Sequence, residues 1–370
     1  MDDWDYCRNI LPKVSRTFAL NISVLKGNLH RSVLTGYLFC RIIDTVEDAG
    51  KLDPKIKIKL LLEFSRLLQD PARRAASLDS WVEACHVVDG SPNDLELLSQ
   101  TSRAFNVFDS LLESHKAQIV PCVSEMAQGM AYFQNKFHAD GLTLLETENE
   151  LEEYCYFVAG CVGEMLRRLF FVELPHLSEK AKRTMKRNAV SFGLGLQMTN
   201  ITKDFIVDRK RGWSYIPRSL ITSNGLTVDE FGSDELMEKN LQVIKCLLRK
   251  TLGHLQDALK FTLAIPRSEI SMRLFCIWPL WMAMETVAVL LNNQALLNSE
   301  DPVKISRATV QRILRRTPWF SCSNFLLRRS FAKISKRCDC GVPSPFYIEN
   351  LKARLSKISL DTHGSNALYA

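Results

Sequence analysis

Hydrophobic residues recur at spacings of three and four along most of the chain, for example between residues 56 and 68 and again between residues 105 and 112. This spacing places apolar side chains on one face of an α-helix, and no persistent alternation of period two competes with it. The pattern predicts about a dozen helices. Glycine accounts for only 16 of 370 residues, which agrees with an all-α fold rather than one rich in tight strand turns.

Proline, glycine and aspartate divide this pattern into pieces of helix length. The breaks fall at Asp53-Pro54, Asp70-Pro71, 89–94, 139–141, Leu174-Pro175, 223–234 and Asp301-Pro302. The sequence contains no internal repeat. No linker rich in Gly, Ser or Pro separates the pieces. We therefore predict one helical domain over residues 1–359 and a frayed polar tail over residues 360–370.

The composition is that of an ordinary globular protein, with 46% hydrophobic and 24% charged residues. A net charge of +7 fits an anionic ligand or membrane surface and is too weak to indicate nucleic-acid binding. Much of the excess lies in a basic stretch from Arg307 to Arg337. The ordinary interpretation of this stretch is a solvated helix face with a basic loop, and peripheral contact with anionic lipid is the alternative.

Other features concern the cellular setting. The eleven cysteines are an odd number without framework spacing, so we expect reduced core residues. The N-terminus is acidic and resembles no secretory signal. The most apolar segment, residues 274–291, contains Pro279 and Glu285, which predicts a buried helix rather than a membrane span of ~20 residues. We expect a cytoplasmic monomer, with peripheral membrane contact left open.

Three acids follow an apolar run of helical character, Asp44, Glu47 and Asp48. Residues three and four apart are neighbours on a helix, so these carboxylates share one face and repel each other unless a cation lies among them. Mg²⁺ is a natural cation there, because it binds one or two carboxylates together with substrate phosphates. An acidic, exposed helix end is the alternative interpretation of this segment alone.

A second polar face occurs later in the chain, with Asn200, Asp204 and Asp208 at successive spacings of four. Lys203 and Arg209 lie beside it, as Arg41 lies beside the first acids. Two acidic faces with adjacent cations in an all-α chain indicate a Mg²⁺-diphosphate clamp. Such a clamp suits the ionisation of an allylic diphosphate, since metal ions and cations take up the charge of the leaving group in a dry cavity.

Five segments together resemble the squalene/phytoene synthase family, and within it the squalene synthase branch. They are 14–18 (VSRTF), 37–48 (YLFCRIIDTVED), 154–163 (YCYFVAGCVG), 197–208 (QMTNITKDFIVD) with 212–217 (GWSYIP), and 273–283 (RLFCIWPLWMA). Their order and spacing are similar to the family pattern from about residue 7 to residue 313.

The resemblance implies a single-domain isoprenoid-synthase helical bundle around a central cavity. It also implies a farnesyl-diphosphate farnesyltransferase of isoprenoid biosynthesis, in a pathway to sterols or hopanoids. Two farnesyl diphosphates would condense head to head to presqualene diphosphate and then be reduced by NADPH to squalene. The metal is Mg²⁺, with Mn²⁺ as an alternative.

Site residues follow from the same resemblance. The metal ligands are Asp44, Glu47, Asp48, Asp204 and Asp208. Catalytic roles fall to Asp44, Asp48, Asp204, Asp208, Tyr154 and Tyr156. The substrate-binding residues are Ser15, Arg16, Phe18, Tyr37, Arg41, Gln197, Asn200, Lys203 and Phe275. The cofactor phosphates would be bound by Arg16, Arg41, Lys304 and Arg307.

Three positions depart from the family pattern. Val207 replaces a glutamate of the second acidic motif, Phe157 replaces a tyrosine before V-A-G, and Ser306 replaces an arginine. Two alternatives therefore remain beside squalene synthesis. One is an enzyme that makes presqualene diphosphate, dehydrosqualene or phytoene without reduction, and the other is a non-enzymatic assembly factor with the same fold.

Overall fold

The computed structural model describes residues 1–136, 143–210, 212–298 and 302–365. These residues form nineteen α-helices and one pair of two-residue strands, so the predicted all-α class is confirmed. The predicted number of about a dozen helices is too low, because apolar spacing does not resolve helices separated by a single residue. Ser15, for example, alone separates the first two helices, and Gln100 separates the sixth from the seventh.

The elements are numbered in chain order. The first ten helices are α1 (Asp3–Val14), α2 (Arg16–Ser23), α3 (Gly27–Asp48), α4 (Pro54–Gln69), α5 (Pro71–Ala84), α6 (Pro92–Ser99), α7 (Thr101–Asp109), α8 (Glu113–Lys136), α9 (Glu148–Cys155) and α10 (Cys161–Glu173). The others are α11 (Glu179–Lys203), α12 (Phe205–Lys210), α13 (Arg218–Ser223), α14 (Met237–Ala264), α15 (Ile270–Leu290), α16 (Ala295–Asn298), α17 (Arg307–Arg316), α18 (Asn324–Ser335) and α19 (Ile348–Ser365).

Short irregular elements complete the described chain. A π-helix spans Tyr156–Gly160, and 3₁₀ segments span Cys85–Val87, Asp234–Leu236 and Thr317–Phe320. Strand β1 (Thr143–Leu144) pairs in parallel with β2 (Trp213–Ser214). The predicted break at 139–141, and residue 301 of the last one, lie outside the described residues.

The predicted helix breaks at aspartate-proline pairs have a local cause. The Asp53 and Asp70 carboxylates accept hydrogen bonds from the first backbone N–H groups of α4 and α5, at 2.7 and 2.9 Å. Proline follows each cap, where its fixed φ suits the helix and its missing N–H costs nothing.

The chain divides into two compact units. Unit 1 comprises Met1–His138, Cys161–Lys186 and Ala264–Pro279, and unit 2 comprises Ala139–Gly160, Arg187–Leu263 and Leu280–Ala370. The single domain over residues 1–359 stays a prediction. Helix α19 includes residues 360–365 of the expected polar tail.

An aromatic cluster forms the core of unit 1. The Phe39 ring of α3 lies 4.8 to 5.7 Å from the rings of Phe64, Phe105 and Phe108. Phe39, Phe64 and Phe105 are each no more than 1% exposed. This packing fixes α3 against α4 and α7, and therefore fixes the helix whose last turn carries the first three acids.

Close backbone contact between α11 and the π-helix shapes unit 2. A Cβ atom added at Gly193 would lie 2.5 Å from the carbonyl carbon of Ala159, and one added at Gly160 would lie 2.8 Å from Leu194 Cδ1. Ordinary contact begins near 3.4 Å. Only glycine therefore permits this approach of the two helices.

Helix α15 contains the segment that the sequence identified as apolar but buried. Among the described residues it alone is long and apolar enough to cross a membrane, and 83% of its apolar window is buried within the protein. That is the behaviour of a core helix, as predicted.

Candidate functional site

The last turn of α3, in unit 1, carries Asp44, Glu47 and Asp48. Burial, reinforced by Asp48, raises the pKa of Asp44 to about 7, against the opposing effect of Arg41. Glu47 is 3% exposed, and burial together with Asp48 and Asp44 holds its pKa well above its usual range. Its Oε1 atom has no hydrogen-bond partner within the described chain. The carboxylates are thus strongly destabilised in their charged form, and a cation would relieve this.

Arg41 lies one turn before Asp44 and is held by two carboxylates. Its Nε and Nη2 atoms donate to Asp94 at 2.8 and 2.9 Å, and its Nη1 atom donates to Asp44 at 2.8 Å. Asp94, in the first turn of α6, also accepts from the Ser91 hydroxyl at 2.6 Å. The guanidinium is therefore fixed in orientation, and it presents Asp44 in one position.

Sequence reasoning missed Asp94, because residues 89–94 were interpreted only as a turn. The available signal was the spacing of Ser91 and Asp94, which resembles a helix capping box. Even this signal would have indicated a helix start, and only the structure shows that the carboxylate pairs with an arginine 53 residues away.

The motif at residues 14–18 lies against α3 in the same unit. Ser15 caps α2 by accepting from the Phe18 N–H at 3.3 Å. The Phe18 ring, 37% exposed, lies 4.9 Å from the Tyr37 ring. Burial raises the pKa of Tyr37 to about 12, although a hydrogen bond with Ser15 opposes the shift. The structure thus brings together Ser15, Phe18 and Tyr37, while Arg16 is exposed.

The second acidic face lies in unit 2, at the end of α11. The helix is interrupted at Asp204, but the backbone hydrogen bonds continue from Asp204 N to Asn200 O (2.8 Å) and from Asp208 N to Asp204 O (3.0 Å). Asn200, Asp204 and Asp208 therefore follow one another at one-turn steps. Lys203 Nζ lies 3.1 Å from an Asp204 carboxylate oxygen and 3.2 Å from Asn200 Oδ1. This lysine neutralises part of the charge that the acids create.

The tyrosines proposed for catalysis are buried in unit 2. Tyr154, 4% exposed, stacks on Tyr215 at 4.7 Å. Tyr156, 7% exposed, begins the π-helix and meets the Phe157 ring edge to face at 5.6 Å. π-Helical turns are frequent at functional sites. Phe157 thus contributes a ring but no hydroxyl at the position of the family's tyrosine.

The remaining predicted residues are placed as follows. Gln197 lies half-buried on α11, one turn before the acidic face. Phe275, on α15 in unit 1, is 5% exposed and packs edge to face with Phe170 at 6.3 Å. Lys304 and Arg307 are exposed at the start of α17, which Ser306 caps.

The donor set of the acidic faces suits a hard divalent cation. Within the described residues, no group of three or more His, Cys, Asp or Glu side chains is arranged to hold a metal ion. Mg²⁺ usually binds through one or two carboxylates together with waters and substrate phosphates. Asp44 and Asp48, together with the buried Glu47 Oε1 atom that has no hydrogen-bond partner among the described residues, fit that mode of binding.

The fold identifies the class of protein. The structure superimposes on that of TcSQS bound to the ligand BPH1237 with a TM-score of 0.77, at 23% identity, covering 98% of this chain and 99% of the other. This is the all-α isoprenoid synthase fold. The sequence model of the squalene/phytoene synthase family matches residues 11–309, and the chain belongs to that family. It is an enzyme that transfers prenyl groups.

Two relatives show the extent of the similarity. The chain is 29% identical to the squalene synthase of Eremothecium gossypii, over 95% of this chain and 76% of the relative. It is 31% identical to the squalene synthase of Candida albicans, over 83% of this chain and 66% of the relative. The similarity thus extends through both acidic segments, and the non-enzymatic alternative is set aside.

Proposed function

We propose that this enzyme condenses two farnesyl diphosphates head to head, through presqualene diphosphate, and reduces the product to squalene with NADPH. The observation that carries the proposal is the acidic last turn of α3, where burial destabilises charged Asp44 and Glu47 and leaves Glu47 Oε1 without a hydrogen bond. Squalene synthases from two fungi are among the chain's relatives.

In this proposal, Asp44, Glu47 and Asp48 bind Mg²⁺, and Asp204 and Asp208 do so on the second acidic face. The metal supplies Lewis-acid stabilisation of the charge on a leaving diphosphate. Arg41 orients Asp44 while Asp94 holds its guanidinium. Phe18 and Tyr37 contact the prenyl chain, and a bound chain would exclude water from around them, which disfavours premature capture of a carbocation.

For the reductive step, we propose that two cations, Lys304 and Arg307, bind the phosphates of NADPH. Lys304 and Arg307 are exposed at the N-terminus of α17, where backbone N–H groups and the helix dipole also favour an anion. The first turn of α17 contains no acidic residue. These features suit the binding of a phosphate group.

A second candidate function is an enzyme that stops before reduction. The buried Phe157 ring stands where the family has a phenol, and the half-buried Val207 stands where it has a glutamate. If Tyr154 and Tyr156 do not replace the missing hydroxyl, the product from farnesyl diphosphate is presqualene diphosphate or dehydrosqualene. Phytoene is the corresponding product if the substrate is geranylgeranyl diphosphate.

The test is incubation of the purified enzyme with farnesyl diphosphate and Mg²⁺ or Mn²⁺, with and without NADPH. Products are extracted and identified by mass spectrometry after phosphatase treatment. Squalene formed only with NADPH supports the first proposal. Presqualene alcohol or dehydrosqualene as the product even when NADPH is present supports the second. In a parallel incubation with geranylgeranyl diphosphate, product formation while farnesyl diphosphate gives none contradicts the farnesyl assignment.

Variants test the site itself. Asp44→Asn and Asp204→Asn should each abolish turnover, whereas Asp79→Asn, an exposed aspartate on α5, is the matched control and should behave as wild type. Full activity in both site variants would overturn the assignment of the two acidic faces.

A further inference from the structure

The positive charge of this protein is concentrated in one short part of unit 2. Residues 302–338 contain ten Lys and Arg residues and no Asp or Glu. Because the whole chain carries +7, the rest of the chain has a net charge of −3, the difference from the +10 of this segment. The excess positive charge is therefore confined to this segment, and its explanation lies in a property of the segment itself.

Only part of this charge is neutralised within the fold. Glu285 of α15, 7% exposed, accepts hydrogen bonds from Arg312 at 3.4 Å and from Arg337 at 2.5 Å. Eight other cations are exposed and form no ion pair with the described residues. Two of them, Lys304 and Arg307, are those proposed for the cofactor phosphates, and the other six are Arg315, Arg316, Arg328, Arg329, Lys333 and Lys336. Their charges remain available to an anionic partner.

Large apolar side chains are exposed among these cations. Trp319, in the 3₁₀ segment between α17 and α18, is 87% exposed, and Phe325 and Leu326 on α18 are 69% and 42% exposed. Side chains of this size that remain so exposed contribute little to packing the fold, and clusters of them mark interaction surfaces.

The orientation of α18 is fixed by its opposite face. Leu327 and Phe331 are buried, and Trp281 Nε1 donates to Ser330 Oγ at 3.0 Å while its ring meets Phe331 at 6.0 Å. At 100° per residue, Phe325 and Arg329 then point away from the protein. The exposure of the aromatic ring therefore follows from helix geometry and cannot be relieved by rotating the helix.

We infer that Trp319, Phe325, Leu326 and the six unpaired cations form a docking surface for an anionic lipid bilayer. Tryptophan prefers the bilayer interface, phenylalanine and leucine gain by entering the acyl boundary, and arginine and lysine are attracted to anionic headgroups. A nucleic acid would satisfy the cations but would leave Leu326 and much of the two rings in water. The inference does not depend on the proposed reaction.

The experiment is cosedimentation of the whole chain with vesicles. One set contains phosphatidylcholine alone and the other contains roughly one third phosphatidylserine, since headgroup attraction requires anionic lipid. We expect binding to the anionic vesicles, weak binding to the neutral ones, and release at high salt. Equal binding to both sets, or none to either, overturns the inference.

Two double variants locate the surface. Arg328→Gln with Arg329→Gln should weaken binding about fivefold for each charge removed, and Trp319→Ala with Phe325→Ala should weaken it even at unchanged net charge. The control is Lys180→Gln with Arg183→Gln, two exposed cations of α11 in unit 1, which makes the same change in net charge and should bind as wild type. All altered side chains are exposed, so thermal unfolding should be unchanged.

Two further experiments test whether this surface binds another kind of partner. Binding of a single-stranded oligonucleotide by wild type, lost in the arginine variant while vesicles are ignored, would replace the lipid assignment with a nucleic-acid one. A dimer in gel filtration that Trp319→Ala with Phe325→Ala converts to monomer, again without vesicle binding, would assign the surface to a second copy of this chain.

Discussion

The contact of Gly193 with the π-helix makes a quantitative prediction about unit 2. In Gly193→Ala, the new Cβ atom would overlap the carbonyl oxygen of Ala159 and lie 2.5 Å from its carbon and 2.9 Å from Gly160 N. All three atoms are backbone, so no side-chain rotation relieves the overlap. Helix α11 and the π-helix must move apart.

The size of the effect follows from two opposing contributions. Overpacking of a well-filled core costs about 1–3 kcal/mol, and overlap with backbone belongs at or above the upper end of that range. Replacing glycine by alanine inside a helix returns about 1 kcal/mol. We therefore expect Gly193→Ala to lower the free energy of unfolding by about 2 kcal/mol or more, and to reduce activity because Tyr156 and Asn200 lie on the elements that separate.

Urea unfolding followed by circular dichroism measures this loss, and Gly36→Ala is the matched control. Gly36 is also inside a helix, but its new Cβ would meet the flexible end of Met165 at 3.3 Å and Ile119 Cγ1 at an ordinary contact distance of 3.8 Å. That variant should be unchanged or stabilised by up to about 1 kcal/mol. If the two variants unfold at the same urea concentration, the reasoning about backbone contact is wrong.

Three further predictions concern single side chains. Asp94→Asn should cost about 2 kcal/mol of stability, because it removes one of the two carboxylates that pair with the partly buried Arg41. It should also raise the Mg²⁺ concentration needed for activity. Urea unfolding and a metal titration measure the two effects, and no change in both contradicts the role of Asp94. Burial lowers the pKa of His254 to about 3. Below about pH 6.5 the unfolded chain therefore binds a proton at this histidine that the folded protein does not bind. The free energy of unfolding should fall by about 2 kcal/mol between neutral pH and about pH 5. Unfolding curves of His254→Gln should lack this part of the pH dependence, and an identical slope in both proteins rejects the assignment. Phe39→Ala should cost about 3–5 kcal/mol by opening a cavity in the aromatic cluster, whereas Val87→Ala, at a side chain 60% exposed, should change stability little.

The departures from the family pattern illustrate how far a sequence can be interpreted. Phe157 and Val207 were recognisable as substitutions from the motifs alone. The structure adds that Phe157 is 7% exposed within a π-helix and against Tyr156. Spacing rules cannot predict a π-helix, because its wider turn depends on how neighbouring helices pack.

The sequence by itself determined the features that depend on local geometry. Helical periodicity predicted the all-α class and the shared face of Asp44, Glu47 and Asp48, since residues three and four apart are neighbours on any helix. Aspartate-proline pairs located the starts of α4 and α5, since a cap bonds only to the next few residues.

Only the tertiary structure decided which distant groups meet. It paired Arg41 with Asp94 from another helix, brought the backbone of Ala159 against Gly193, and assigned Arg312 and Arg337 to Glu285 while leaving their basic neighbours exposed. The sequence indicated a basic stretch, but it could not separate the cations that stabilise the fold from those that face outward. That distinction depends on packing between helices far apart in the chain, and the spacing of residues along the sequence cannot predict it.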